Sequence, residues 1–229
     1  MNTCYLKNNY TIYVFWQEGH LMKKKFSVTT LFVDIGGVLL SDGWSHKSQL
    51  LAAKVFDINF KEMEIRHNLN FDTYELGKLS IDEYLKRVVF YTGRKFSVNA
   101  FKKFIFSQSK PYPQMINLIS QLKEKYGLRI FVVSNEAREL NAYRIKTFKL
   151  DRLVDCFISS CYVHLRKPDK DIFRLALDVS QVKHQQIVYI ENTYMFVQVA
   201  ESLGIRSILH TDYKSTQTKL ASFGLVNSE

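Results

Sequence analysis

An aspartate, Asp34, ends the apolar run LFVD (31–34), and two glycines, Gly36 and Gly37, follow it. Ser134 and Asn135 close FVVSN, Lys167 precedes a proline in RKPD, and Glu191-Asn192 closes IVYIEN. A carboxylate can attack phosphorus and form an aspartyl-phosphate. The charge spread over the equatorial oxygens then calls for a hydroxyl donor and an ammonium around them. A second carboxylate would share Mg²⁺ with the nucleophile. Gly36 and Gly37 let the backbone approach a phosphate and offer it amide protons. Taken singly, each residue also has an ordinary reading: a strand-end Asp or Ser caps helices, and a lysine is a solvated charge. Their common position after apolar runs is what groups them.

Those runs must be strands. Residues 27–34 are β-rich, and 128–134, 155–160, 186–191 and 205–210 repeat the pattern. Between them lie helical periodicities at 114–126, 136–148, 168–180 and 193–203. Strands alternating with helices imply βαβ crossovers, a parallel sheet, and ligands beyond the carboxyl ends of the strands. One segment breaks the alternation. Residues 46–57, 60–76, 80–92 and 97–109 each carry apolar residues at three- and four-residue spacing. Ser80 and Glu83 form a capping box at the start of the third, and Pro111-Tyr112-Pro113 ends the segment. The fold expected is α/β: a Rossmann-like open parallel sheet with a four-helix cap inserted after the first strand. The domains expected are an N-terminal extension over 1–26, a core of 27–41 plus 113–229, and a cap over 42–112.

Composition narrows the partners. Of 229 residues, 46% are hydrophobic, enough for a sizeable core, and 32 Lys and Arg against 22 Asp and Glu leave a net charge of +10. That balance suits an anionic ligand. The charge is spread along the chain, without zinc-finger spacing or an RNA-binding aromatic signature, which argues against nucleic acid. The apolar patch at 10–16 is too short to span a bilayer. Three cysteines without metal-site spacing or a secretory signature point to reduced thiols in the cytoplasm. Met22 offers an alternative start, and the first 21 residues are then expected to be either a tail or no part of the protein. Oligomeric state is not legible.

LFVDIGGVLL (31–40), FVVSNE (131–136), RKPDKDIF (166–173) and IVYIENTYMFVQVAESLGI (187–205) together resemble the haloacid dehalogenase superfamily, in the branch with a helical cap after the first strand. The resemblance runs from residue 28 to about 225, and RKPDKDIF is its most specific stretch. It implies a hydrolase with Asp34 as nucleophile and Ser134 and Lys167 as phosphate holders. Mg²⁺ would sit on Asp34, the Gly36 carbonyl, Glu191 and Asn192. Gly36, Gly37, Asn135 and Trp44 would contact the substrate, a small phosphorylated metabolite.

Two departures from the family pattern matter. Most phosphatases of the family carry a second aspartate at the position of Gly36, as general acid and base, a service worth roughly 10²–10⁴-fold. Asp42 or His46, at the mouth of the cap, could replace it, although Asp42-Gly43 also reads as a turn and His46 as a helix start. The metal motif is Glu-Asn where Asp-Asp is usual, which implies weaker Mg²⁺ binding. The readings left open are a Mg²⁺-dependent phosphatase, a catalytically weakened binding or regulatory protein, and a metal-free 2-haloacid dehalogenase.

Overall fold

The computed structural model describes residues 27–227, together with the backbone of three strands upstream: β1 (Tyr5–Asn8), β2 (Thr11–Phe15) and β3 (Leu21–Lys24). These three form an antiparallel meander, β1-β2-β3. The rest of the expected N-terminal extension lies outside the described residues.

Burial on both faces dictates the composition of the first core strand, β4 (Thr30–Val33), all of whose residues are buried. Leu31 and Val33 join the apolar cluster on one side of the sheet, and Phe32 joins the cluster on the other. This is the two-residue alternation of a strand covered on both faces. Between β4 and the next strand come α1 (His46–Val55), α2 (Phe60–Glu75), α3 (Ile81–Val88), α4 (Val98–Ser107) and α5 (Pro113–Tyr126). Then β5 (Arg129–Ser134), α6 (Arg138–Thr147), β6 (Cys156–Ser159), α7 (Ser160–Val163), α8 (Lys170–Ser180), β7 (Ile187–Glu191), α9 (Tyr194–Glu201), β8 (Arg206–Leu209) and α10 (Tyr213–Ser222) follow. The strands form one parallel sheet in the order β6-β5-β4-β7-β8. The chain winds outward from β4 in both directions, so β4 ends at the switch point where such sheets bind ligands. The α/β, Rossmann-like fold read from the sequence is the fold observed.

Helices α1 to α4 pack around Tyr84, Leu85, Phe101 and Met63, in an apolar cluster that Ala137 and Leu140 from the start of α6 join. Ser80 and Glu83 close the capping box at the start of α3, with Ser80 N donating to Glu83 Oε2 at 2.8 Å. The two chain crossings into this helical layer pair with each other: Ser41 N donates to Lys110 O (2.8 Å) and Tyr112 N to Leu39 O (2.9 Å). Among the described residues, no helix is long and apolar enough to cross a membrane.

The expected boundaries shift where local chemistry overrides periodicity. Helix α8 starts at Lys170 rather than 168, because Asp169 is its cap and accepts from Asp171 N. Helix α6 starts at Arg138, after Ala137 in extended backbone. Helices α7 and α10 have no counterpart in the sequence reading. α7 has only four residues, and the polar α10 buries only Thr216 and Leu220.

Gly43, in the first crossing, has φ +67°, and a Cβ there would lie 2.1 Å from Arg144 Nη2. Gly43→Ala is therefore expected to destabilise the protein by about 1–3 kcal/mol, read as a lower urea midpoint at unchanged m-value.

Candidate active site

Asp34 is the first residue beyond β4, and its amide donates to Ile190 O at 3.0 Å, which keeps it on the sheet edge. Val33 is level with Val132 and Ile190, so Asp34 comes level with Val133 and Glu191, one step short of Ser134. Lys167 arrives from the loop after β6, and its ammonium closes the group. It donates to Asp34 Oδ1 (2.8 Å), Glu191 Oε2 (2.6 Å) and Tyr189 Oη (3.1 Å). Tyr189 Oη also donates to Glu191 Oε2, and the Thr193 amide donates to Glu191 Oε1 at 2.8 Å. Lys167 is 1% exposed and Glu191 0%.

Asn135 faces the same loop. Its Oδ1 accepts from Lys167 N (2.8 Å) and its Nδ2 donates to Lys167 O (2.9 Å). Expected as a substrate contact, it holds the lysine backbone to the end of β5. Ser134 is buried, and its hydroxyl reaches Glu136 Oε1 only at 3.5 Å.

Burial sets the electrostatics. It pushes Asp34 up to about 7; the neighbouring Glu191 adds to the rise, and Lys167 and Ser134 oppose it. For Lys167, burial pulls downward, but the two carboxylates outweigh it and hold the ammonium above its usual range. Burial, then Glu191 and Asp34, keep the Tyr189 phenol protonated. Burial also raises Glu136, with Arg144 opposing.

A cavity of 450 Å³ opens over this edge. Asp34, Gly36, Asn135, Lys167 and Asn192 line it from the sheet side and Trp44 from the helical side, whereas Ser134, Gly37 and Glu191 lie outside its lining. Trp44 is mostly buried, its Nε1 donating to Tyr84 Oη at 2.8 Å. The phenol oxygen lies 2.6 Å from Nδ1 of His67, which burial pushes down to about 4 and so keeps neutral.

Both candidates for a replacement acid, Asp42 and His46, line the cavity, with different neighbours. His46 is turned to Glu64 (3.3 Å) and packs edge-on against Phe60. Asp42 folds back over the glycines: its Oδ1 lies 3.4 Å from where a Cβ on Gly36 would be, and 3.1 Å from one on Gly37. Its carboxylate thus borders the place that a side chain at position 36 would enter. Glu136, Arg144 and Arg166 also line the cavity. Sequence reasoning had not singled them out, although Glu136 and Arg166 stand inside two of the quoted motifs.

Among the described residues, no three His, Cys, Asp or Glu side chains cluster so as to hold a metal ion. Of the four residues expected to hold the metal, Asp34, Gly36 and Asn192 line the cavity. A carboxylate, a backbone carbonyl and a side-chain amide can offer hard oxygens of the kind magnesium takes. Asn192 packs directly on Gly37, where a Cβ would fall 1.9 Å from its Nδ2. Glu191, expected as a direct ligand, has both oxygens engaged and stands behind Lys167 as an outer charge. The donor set fits Mg²⁺, with one direct carboxylate instead of two.

Residues 41–210 match the family described as haloacid dehalogenase-like hydrolase. A mouse protein, acyl-CoA dehydrogenase family member 10, is 31% identical over 101 residues, which are 44% of this chain and 9% of that protein's length. A HAD family enzyme from Bacteroides thetaiotaomicron, solved with magnesium and inorganic phosphate, superposes with a TM-score of 0.68 at 21% identity, over 80% of this chain and 93% of that one. An L-2-haloacid dehalogenase from Xanthobacter autotrophicus, with chloropropionic acid covalently bound, superposes at 0.58 and 14% identity, over 87% and 84%. At these identities the likeness to both structures is one of fold.

A carboxyl group raised in the folded state costs stability once it ionises. The Asp34 contribution is fully present below about pH 4 and is lost as pH rises through about 7. Without divalent cations, Asp34→Asn is expected to raise the melting temperature more at pH 8 than at pH 5. Equal shifts at both pH values would contradict the raised pKa.

Proposed function

The chain belongs to the haloacid dehalogenase-like hydrolases, and on that premise we propose that it is a Mg²⁺-dependent phosphatase of a small phosphorylated cytoplasmic metabolite, acting through an aspartyl-phosphate on Asp34. One observation carries the reading. A carboxylate and an ammonium, 2.8 Å apart, sit side by side in the wall of a 450 Å³ cavity at the switch point of the sheet.

Asp34 attacks phosphorus as the bond to the leaving oxygen breaks. Lys167 faces the negative charge that develops on the phosphoryl oxygens. Asp42 gives its proton to the departing oxygen, and the resulting carboxylate then takes one from water as that water attacks the aspartyl-phosphate. The phosphorus–oxygen bond to Asp34 breaks, and Asp34 returns to its starting state. Mg²⁺ held by Asp34, the Gly36 carbonyl and Asn192 would supply positive charge that favours ionised Asp34 and the transferring phosphoryl group. The helical layer covers the site and excludes water, which strengthens these interactions.

A second reading, a binding module without turnover, is favoured by one observation: both Glu191 oxygens are engaged within the protein.

The phosphatase reading expects turnover of p-nitrophenyl phosphate with Mg²⁺, abolished by EDTA and by Asp34→Asn. Asp42→Asn is expected to lower kcat by roughly 10²-fold or more. Adding Gly36→Asp to that variant is expected to recover activity, since a Cβ at position 36 meets nothing nearer than 3.4 Å. Phosphate binding without turnover in the wild-type protein would support the second reading.

A further inference from the structure

Resting on the phosphatase reading, we infer that the cavity selects phosphate monoesters whose leaving group carries hydrogen-bond donors and no second negative charge, and that Glu136 is the residue that reads it. The chemical class is a hydroxyl- or amine-bearing phosphate ester. Bisphosphates and phosphorylated carboxylic acids are refused.

The first support is the balance of charge. Three cationic side chains of Lys and Arg line the cavity: Lys167, Arg144 and Arg166. Lys167 is taken by Asp34 and Glu191. Arg144 lies 2.5 Å from Glu136 Oε1 and also donates to Ser109 Oγ (3.0 Å) and Ser41 O (3.1 Å). Arg166 is held by Asp72 (2.7 Å) and Glu75 (2.6 Å). Neither arginine is left uncommitted to meet a second anion. Glu64 adds a further carboxylate to the lining. The transferring phosphoryl group has Lys167 and the proposed Mg²⁺; a carboxylate or second phosphate elsewhere on the substrate would enter a field of its own sign.

The second support is Glu136 itself. It is 3% exposed, and its Oε2 is a buried oxygen with no hydrogen-bond partner. Buried carboxylate oxygens are ordinarily paired, so an orphan beside a cavity is an acceptor that lacks its donor. Glu136 also lines a recess of 40 Å³ that shares Asp42, Glu75, Asn135 and Arg144 with the main cavity. That space admits one hydroxyl or one ammonium group, with several acceptors around it. A site built to pair a donor rejects the analogue that replaces it with an acceptor, because the acceptor meets unpaired oxygen.

The test uses the full chain with Mg²⁺ and two matched esters. Glycerol 3-phosphate ends in a hydroxymethyl group, and 3-phosphoglycerate carries a carboxylate in its place; p-nitrophenyl phosphate is the reference. The inference expects kcat/KM for glycerol 3-phosphate to exceed that for 3-phosphoglycerate at least tenfold. Glu136→Gln keeps the shape, removes the charge and presents a donor, so it is expected to collapse that ratio at least tenfold, mainly through KM. Equal turnover of the two esters by the wild-type protein overturns the inference while the phosphatase reading stands, and does so without any variant. A wild-type preference that Glu136→Gln leaves unchanged removes Glu136 as the reader, and a water filling the recess then accounts for it. No turnover of p-nitrophenyl phosphate either removes the phosphatase reading itself, and this inference with it.

Discussion

An ammonium group with 1% of its residue exposed is held between two carboxylates, and the arrangement of the whole sheet edge depends on it. Taking such charges out of water costs several kcal/mol per ion, and only close, well-oriented partners offset it. Asp34 comes from the end of β4 and Glu191 from the end of β7, at the same level because β4 and β7 pair in parallel register. Lys167 comes from the loop after β6, two strands away, and its backbone is held there by two hydrogen bonds, one donated by Asn135 just past β5 and one accepted by it. Tyr189 and the Thr193 amide complete the pairing of Glu191. Groups from β4 and β7 thus meet one nitrogen atom, while the end of β5 holds the backbone that carries it. A shift of one residue in the β4–β7 register would turn a carboxylate to the opposite face and leave the lysine partly unpaired.

This constraint explains which parts of the molecule were legible in the sequence. Asp34 and Glu191 stand at breaks between apolar runs and helical periodicities, so their position follows from pattern alone, and Lys167 stands in the loop before a helical period, marked by the motif RKPD. Ser134 ends β5, but pattern does not say that its hydroxyl lies near Glu136 and that the residue stands outside the cavity lining. Asn135 shows the same limit, because residue type suggests a ligand contact, and only the fold reveals that both ends of its amide serve the backbone of Lys167. Helix α10 was missed because YKSTQTKLAS buries too few side chains to leave a period.

The residues over the cavity were the least legible, and the reason is geometric. Asp42 lies six positions beyond Gly36, yet the turn brings its carboxylate against that glycine. No spacing rule predicts such a return. Arg144 stands in the last turn of α6, where a helical arginine ordinarily faces solvent, yet it is almost wholly buried against Glu136. The helical layer therefore contributes chemistry as well as cover: the acid proposed for the leaving group and the wall proposed to read it both depend on how the chain re-enters the core.

The guanidinium of Arg144 joins three parts of the chain: Ser41 in the outgoing crossing, Ser109 at the start of the return, and Glu136 just past the end of β5. Both strands of the neck are thus riveted at one planar group to the loop that bears Asn135, and through Asn135 to Lys167. A second fastening lies on the far side of the cavity, where Arg166, next to Lys167, pairs with Asp72 and Glu75 of α2. The peptide that carries the lysine is therefore moored to the helical layer from two sides, so the placement of that layer and the aim of the central cation are set together.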